Sequence, residues 1–337
     1  MKRSLSVALL LIFSMTACRR PQPQAAQAAS APLKVGLVFD VGGRGDKSFN
    51  DSAFRGLQRA AKELGIKYDY IEPAEPADRE NALRQFASGD YPLIIAVGFI
   101  FTDDVNRVAE AFPKKHFACV DYALEPGQAV PPNVVALKFR EQESSFLGGV
   151  IAALTSKTKT IGFVGGMDVP LIHKFEAGYR AGAAWADAKV KVLVSYAGVT
   201  PQAFKDPAKG EEIALSQIAQ GADIIYHASG STGLGVFEAA REKHILAMGV
   251  DSDQYKDAPG FVLTSITKNV DEAVFQVIQR QLEGKFKGGV IELGLKEKGV
   301  GYVYDEHNKA LIPARAREQA ERARALIVAD KLQVPFK

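Results

Sequence analysis

From residue 33 onward, short continuous apolar runs alternate with stretches whose apolar residues recur every three or four positions. The runs at 34–39, 67–71, 93–97, 117–120 and 134–139 have the length and content of strands buried on both faces. Between them, residues 48–64 place Phe49, Ala53, Leu57, Ala60 and Leu64 on one face of a helix. Ser48 with Asp51 predicts a capping-box-like start, and Gly65 a stop. Residues 78–88 and 103–112 predict the next two helices. Near residue 143 the pattern restarts. Helices at 143–154, 174–186, 211–219, 233–243 and 271–283 are interleaved with strands at 160–164, 190–196, 223–226, 246–250 and 261–266. A final helix over 313–331, rich in Ala, Arg and Glu, reads as a surface helix packed on one lobe. This alternation predicts parallel sheets covered on both faces, and therefore two doubly wound α/β lobes in one chain.

The first 32 residues follow another pattern. Lys2 and Arg3 precede an apolar stretch at 7–15, broken only by Ser14, and the segment ends Met15-Thr16-Ala17-Cys18. The stretch falls short of the ~20 apolar residues that span a bilayer, and its layout is that of a secretory signal. Small residues before a cysteine resemble the lipobox of bacterial lipoproteins, in which that cysteine is acylated and becomes the first mature residue. The alternative is an ordinary signal peptide with a chance cysteine. Residues 18–32 then form a lipidated end and an aperiodic Pro/Gln/Ala/Ser tether. The address predicted is an exported chain held to a bacterial membrane through Cys18, on its periplasmic or extracellular side.

Composition narrows the partners. Formal net charge is +3 and falls to +1 without Lys2 and Arg3. No basic tract points to nucleic acid. Besides Cys18 only Cys119 is present, within an apolar run, so the folded part is expected to lack a disulfide and Cys119 to be a small core residue.

In an open parallel sheet, ligands sit outside the carboxyl ends of the strands. Those ends carry DVGGRGDKSFN at 40–50, GFIF at 98–101, Asp121-Tyr122, GGMDVP at 165–170, HASGSTGLG at 227–235, DSDQ at 251–254 and Thr267-Lys268-Asn269. Aromatics, acids, amides and Gly turns gathered at one end are the composition of a polar small-molecule cleft. The SGSTGLG loop at 229–235 lacks the Lys-Ser/Thr of a P-loop and does not match the dinucleotide fingerprint. His173, His227 and Met167 have no metal-ligand spacing, and there is neither a GxSxG elbow nor a Cys–His pair. The acid pairs Asp103/Asp104 and Asp251/Asp253 carry no mark of a catalytic couple. No cofactor, metal or enzymatic activity is expected.

DKSFND at 46–51, GFIFTD at 98–103, GGMDVPLIHKFEAGYRAGA at 165–183, ASGSTGLGVFEAA at 228–240, GVDSDQ at 249–254 and SITKNVD at 265–271 together resemble the basic membrane protein family of bacterial lipoproteins. That family includes purine nucleoside receptors serving ABC transporters. The resemblance spans residues 33–305. It implies a type I periplasmic-binding-protein fold, with two α/β lobes joined by three crossovers and closing on ligand by a hinge. Lobe 1 would comprise 33–142 plus about 268–290, and lobe 2 would comprise 143–267 plus about 291–337. It further implies that Phe49 stacks on a purine, that Asn50 and Asp121 read the base edge, and that Phe175 or Tyr226 supplies the second aromatic face. Asp251 and Lys268 would hold ribose hydroxyls. Gly230, Thr232 and Gly233 would add contacts at the sugar end, and Asp46, Phe99 and Met167 complete the expected ligand-binding set. Arg44, beside the cleft in the Gly-rich loop, is the departure that would readmit an anionic ligand.

The expected partners are a small-molecule ligand, most simply a purine nucleoside, and ABC permease subunits, with the receptor itself a monomer. The competing readings are a nucleoside-processing enzyme, and a sensor or adhesin that reuses the fold.

Overall fold

The computed structural model describes residues 31–124 and 127–337. The apolar stretch at 7–15, Cys18 and the tether up to residue 30 lie outside the described residues.

The first half builds β1 (Lys34–Val38), α1 (Phe49–Leu64), β2 (Lys67–Ile71), α2 (Asp78–Ser88), β3 (Leu93–Val97), α3 (Thr102–Ala111), β4 (His116–Val120) and β5 (Val134–Phe139). The second builds α4 (Glu141–Thr155), β6 (Thr160–Met167), α5 (Pro170–Ala186), β7 (Lys191–Gly198), α6 (Pro207–Ala219), β8 (Ile224–Ala228), α7 (Gly233–Lys243), β9 (Leu246–Asp251) and β10 (Val262–Lys268). The chain then adds α8 (Val270–Leu282), β11 (Gly289–Leu293), β12 (Val300–Tyr302) and α9 (Ala314–Val328). Two six-stranded sheets result, ordered β11-β5-β4-β3-β1-β2 and β12-β10-β9-β8-β6-β7. Every pairing is parallel except β12 against β10.

The continuous apolar strands feed a core on each face. In β3, Leu93, Ile95 and Val97 pack with Leu57 of α1 and Val274 of α8, while Ile94 and Ala96 pack with Leu83 of α2 and Val105 of α3. Where two helices must come closest, glycine makes room. A Cβ on Gly182 of α5 would lie 1.9 Å from the Phe146 carbonyl oxygen of α4, and one on Gly149 of α4 would lie 2.0 Å from the Tyr179 carbonyl oxygen. α9 buries Ala316, Ala320 and Ala323.

The chain crosses between lobes after β5, after β10 and after β11. The crossings are tied to one another, because Arg140 N donates to Leu293 O at 3.0 Å and Asn269 N to Gly299 O at 2.8 Å.

Four expectations need adjusting. The return to lobe 1 runs on to Leu293 instead of ending near 290, because β11 pairs with β5 from Gly289↔Val135 to Leu293↔Phe139. Neither β11 nor β12 is foreseen from the apolar pattern, since an edge strand with Val290 half exposed carries a weak signal. Helices α5 and α6 begin about one turn before the expected starts, at Pro170 and Pro207, because proline at the first helical position gives up an N–H that has no intrahelical partner anyway. Ser48 does not cap α1 through its side chain. Asp46 takes that place, accepting from Ser48 N at 3.0 Å, Asn50 N at 2.7 Å and Asp51 N at 3.1 Å.

Candidate ligand-binding site

The end of β1, the loop to α1 and the first turn of α1 form one wall of a cavity between the lobes. Asp46 organises this wall. Its carboxylate gathers the free N–H groups at the start of α1, where a negative charge is favoured by the helix dipole. Burial nonetheless pushes its carboxyl above the usual range, and the same N–H groups oppose the shift. Asn50 is already engaged, accepting from Asp40 N at 3.2 Å through Oδ1 and donating to Asp46 Oδ2 at 3.2 Å through Nδ2. One lone pair and one N–H of its amide remain. From α1 the Phe49 ring and the Asn50 amide both face the space.

Lys268, at the end of β10, is the electrostatic centre. It is 2% exposed. Its Nζ donates to Asp121 Oδ2 at 2.6 Å and lies 3.2 Å from Glu141 Oε1. It also sits 5.0 Å from the Phe49 ring centroid, 5.0 Å from Phe139 and 5.7 Å from Phe175. Burial alone would lower its proton affinity, but Asp121, Glu141 and Asp251 hold the ammonium well above its ordinary value. Lys268 is therefore a permanent cation. Asp121 Oδ1 is buried and has no hydrogen-bond partner among the described residues. Burial pushes the Asp121 carboxyl up, with Lys268 opposing.

Asp121 and Asp251 both hold positive φ, 60° and 62°, a conformation that Asp tolerates better than most residues. Asp251 accepts from Ser48 Oγ at 2.7 Å. Burial pushes its carboxyl up to about 6, against Lys268 and the Ser48 hydroxyl. Asp40 is pushed up to about 7 by burial, against a 2.6 Å hydrogen bond from Val41 N. His227, buried in β8, is pushed down to about 4 by burial and is neutral, with Nε2 3.1 Å from Gln254 Oε1.

The cavity is tight, about 60 Å³, below the ~300–1,000 Å³ of small-molecule sites, so a ligand of that size requires the lobes to part. Of the expected residues, Asp46, Phe49, Asn50, Phe99, Asp121, Phe175, Gly230, Asp251 and Lys268 line it. Met167, Tyr226, Thr232 and Gly233 do not. Tyr226 lies in the core of lobe 2, its ring 5.2 Å from Tyr179 and its hydroxyl 3.3 Å from Ser145 Oγ. Thr232 ties two loops together, donating to Ala203 O and accepting from Asp206 N, both at 2.8 Å. Gly233 leaves room for the His227 ring, which a Cβ would meet at 2.0 Å. Met167, partly buried at the end of β6, stands outside the lining.

The lining adds residues that sequence reasoning did not single out, chiefly Asp40, Ile172 and Phe204. Asp40 stands two residues past the end of β1, where the strand-end rule could have found it. Phe204 sits in a short turn after β7, where no rule of position points to it. Arg44 turns away, with its Nε 2.8 Å from Asp51 Oδ1 and its guanidinium 3.5 Å from the Phe54 ring centroid.

The lobes also meet directly at the rim. Lys47 Nζ donates to Asp257 Oδ1 at 2.7 Å, Arg55 Nη2 to Ser252 Oγ at 2.7 Å, and Ser252 Oγ to Ser48 O at 2.9 Å.

Residues 33–337 match a family profile, Bmp, described as "ABC transporter substrate-binding protein PnrA-like". An uncharacterized lipoprotein of Pyrococcus horikoshii is 42% identical over 80% of this chain and 68% of its own length. The "ABC transporter nucleoside-binding protein BmpA" of Lactococcus lactis is 32% identical, covering 98% of this chain and 97% of its own. A crystal structure of an ABC transporter solute-binding protein from Aeropyrum pernix superposes with a TM-score of 0.83 at 30% identity, over 91% of this chain and 94% of that one. The two lobes and their parallel-dominated sheets agree with the type I periplasmic-binding-protein fold of such neighbours.

Proposed function

Because the chain belongs to the Bmp family of PnrA-like ABC transporter substrate-binding proteins, we propose that the solute it binds is an uncharged purine nucleoside, held between the lobes and passed to a permease. The observation that carries this reading is the partnerless Asp121 Oδ1, buried beside a fixed cation within an aromatic-walled cavity. A buried carboxylate oxygen without a donor costs about 1–3 kcal/mol or more, and a ligand N–H removes that cost. Phe49 stacks on one face of the base, with Phe175 and Phe204 of the other lobe opposite. Asp121 and the remaining amide capacity of Asn50 read the base edge. Asp251 and Lys268 take the ribose hydroxyls as acceptor and donor. Asp40, Asp46, Asp121 and Asp251 line the cavity against Lys268 as the lone cationic side chain in its lining, so a phosphate is electrostatically disfavoured. The name of the Lactococcus relative supports the nucleoside.

Binding here is not chemistry on the ligand. The solute bridges the lobes and favours their closed arrangement by its differential affinity for it. No helix among the described residues is long and apolar enough to cross a membrane. Attachment falls instead to a lipid on Cys18, a reading supported by the Pyrococcus relatives named lipoproteins. The protein works as an exported monomer at the membrane surface.

Isothermal titration with adenosine, inosine, guanosine and their 5′-monophosphates tests this. One saturable site for a nucleoside, with the matching monophosphate at least ~10-fold weaker, is the expected result. No saturation by any nucleoside would sink the reading, and free base in the same incubations would replace it with an enzyme. For the anchor, Cys18→Ser should move the protein from the membrane fraction to the soluble one.

A further inference from the structure

We propose that the ligands of this receptor include purine nucleosides carrying an apolar group on the base, with that group lying in a groove beside the cavity. The inference rests on the nucleoside reading above and extends it to a substrate class.

The groove is the larger space, about 1220 Å³, and it opens to solvent. Phe99, Asp121 and Leu171 belong to its wall and to that of the cavity, so the two spaces adjoin at these three residues. Phe99 and Leu171 are both partly exposed. Their side chains carry no polar atom, so turning them aside breaks no hydrogen bond. The third member, Asp121, is the residue with the free Oδ1. A purine amine with one substituent keeps one N–H for that oxygen and carries its substituent past Asp121 toward the groove.

The chemistry of the groove selects what the substituent can be. Tyr122, Leu124, Val169, Ala177, Ala181 and Phe336 supply apolar wall, with Phe336 of the C-terminal tail half exposed. Several polar groups at its edge are already partnered. Lys174 lies 3.0 Å from Glu141, Arg180 lies 3.2 Å from Glu176, and the His173 ring lies 2.7 Å from Asp168. The groove thus offers apolar contact area continuous with a site that fixes a base, and a hydrocarbon or aromatic group gains by leaving water there.

The test is titration of the full chain with adenosine and N6-benzyladenosine, guanosine and N2-benzylguanosine, in the native protein and in Ala177→Trp. Ala177 faces the groove and lies outside the cavity lining. At least one benzylated nucleoside is expected within ~10-fold of its parent, and Ala177→Trp should weaken that ligand by ~10-fold or more while leaving the parent within ~2-fold. Parents that bind while both benzylated forms are excluded would overturn the inference, as would a tryptophan that affects both forms equally or neither. Failure of adenosine, inosine and guanosine alike would fell the nucleoside reading itself, and this extension with it.

Discussion

At the scale of single residues, polar groups at the strand ends were the legible part of the site, because chain direction alone sends them to one edge of a parallel sheet. What the sequence hides is which polar atoms are spent on the protein itself. Ser48 reads as a helix cap, yet its hydroxyl donates to Asp251 across the lobes, while Asp46 serves the helix start. Asp121 is where the partnerless oxygen lies, so Asp121→Asn should weaken nucleoside binding by ~10- to 100-fold, the range of a hydrogen bond to a charged group. Titration calorimetry reads it, and an unchanged affinity would remove Asp121 from the site. Asp251 gives a pH prediction. The folded protein keeps its proton up to about 6, whereas the unfolded chain releases it near 3.8. Between those values the folded state binds more protons, so stability falls as pH rises, by up to ~3 kcal/mol for this group. Thermal melts from pH 4 to 6 should therefore show a shallower decline, or a steeper rise, for Asp251→Asn than for the native protein.

At the scale of elements, type and order were legible and boundaries were not. Helix and strand periods differ enough to be told apart over ten residues, but the expected starts at 174 and 211 fall one turn after Pro170 and Pro207, the first helical residues. The α4–α5 contact could not be foreseen at all, since Gly149, Gly178 and Gly182 announce only freedom, not which backbone comes close. Gly182→Ala would set a methyl 1.9 Å from the Phe146 carbonyl oxygen. The helices must separate to admit it, at a cost of ~1–3 kcal/mol. A melting temperature several degrees lower checks this, and an unchanged one would show that the helices slide freely. The neighbouring α1–α8 contact obeys the same rule, with a Cβ on Gly56 falling 2.3 Å from Asp271 O.

For the whole molecule, the restart of the pattern near residue 143 revealed two lobes, while of the late edge strands β11 was too exposed and β12, at three residues, too short to register. Direct ties between the lobes add to whatever the ligand contributes. Lys47–Asp257 is one of them, with Lys47 57% and Asp257 8% exposed. An ion pair this open to solvent contributes ~0–1 kcal/mol, so Lys47→Ala should weaken apparent affinity by up to ~5-fold, mostly through faster dissociation. Stopped-flow release at low and high salt measures it, and a salt-independent native off-rate would count against the role. The three crossings also govern how the molecule can be made. Neither lobe is a continuous stretch of chain, for α8 and β11 of the first follow the whole central part of the second. During synthesis the first five strands must wait, with the open edge of β5 unpaired, until residue 293 has emerged. A chain cut short anywhere before that point exposes a strand edge to its neighbours, so passage across a membrane before folding, which keeps that edge unformed until the whole chain is delivered, suits this order of segments.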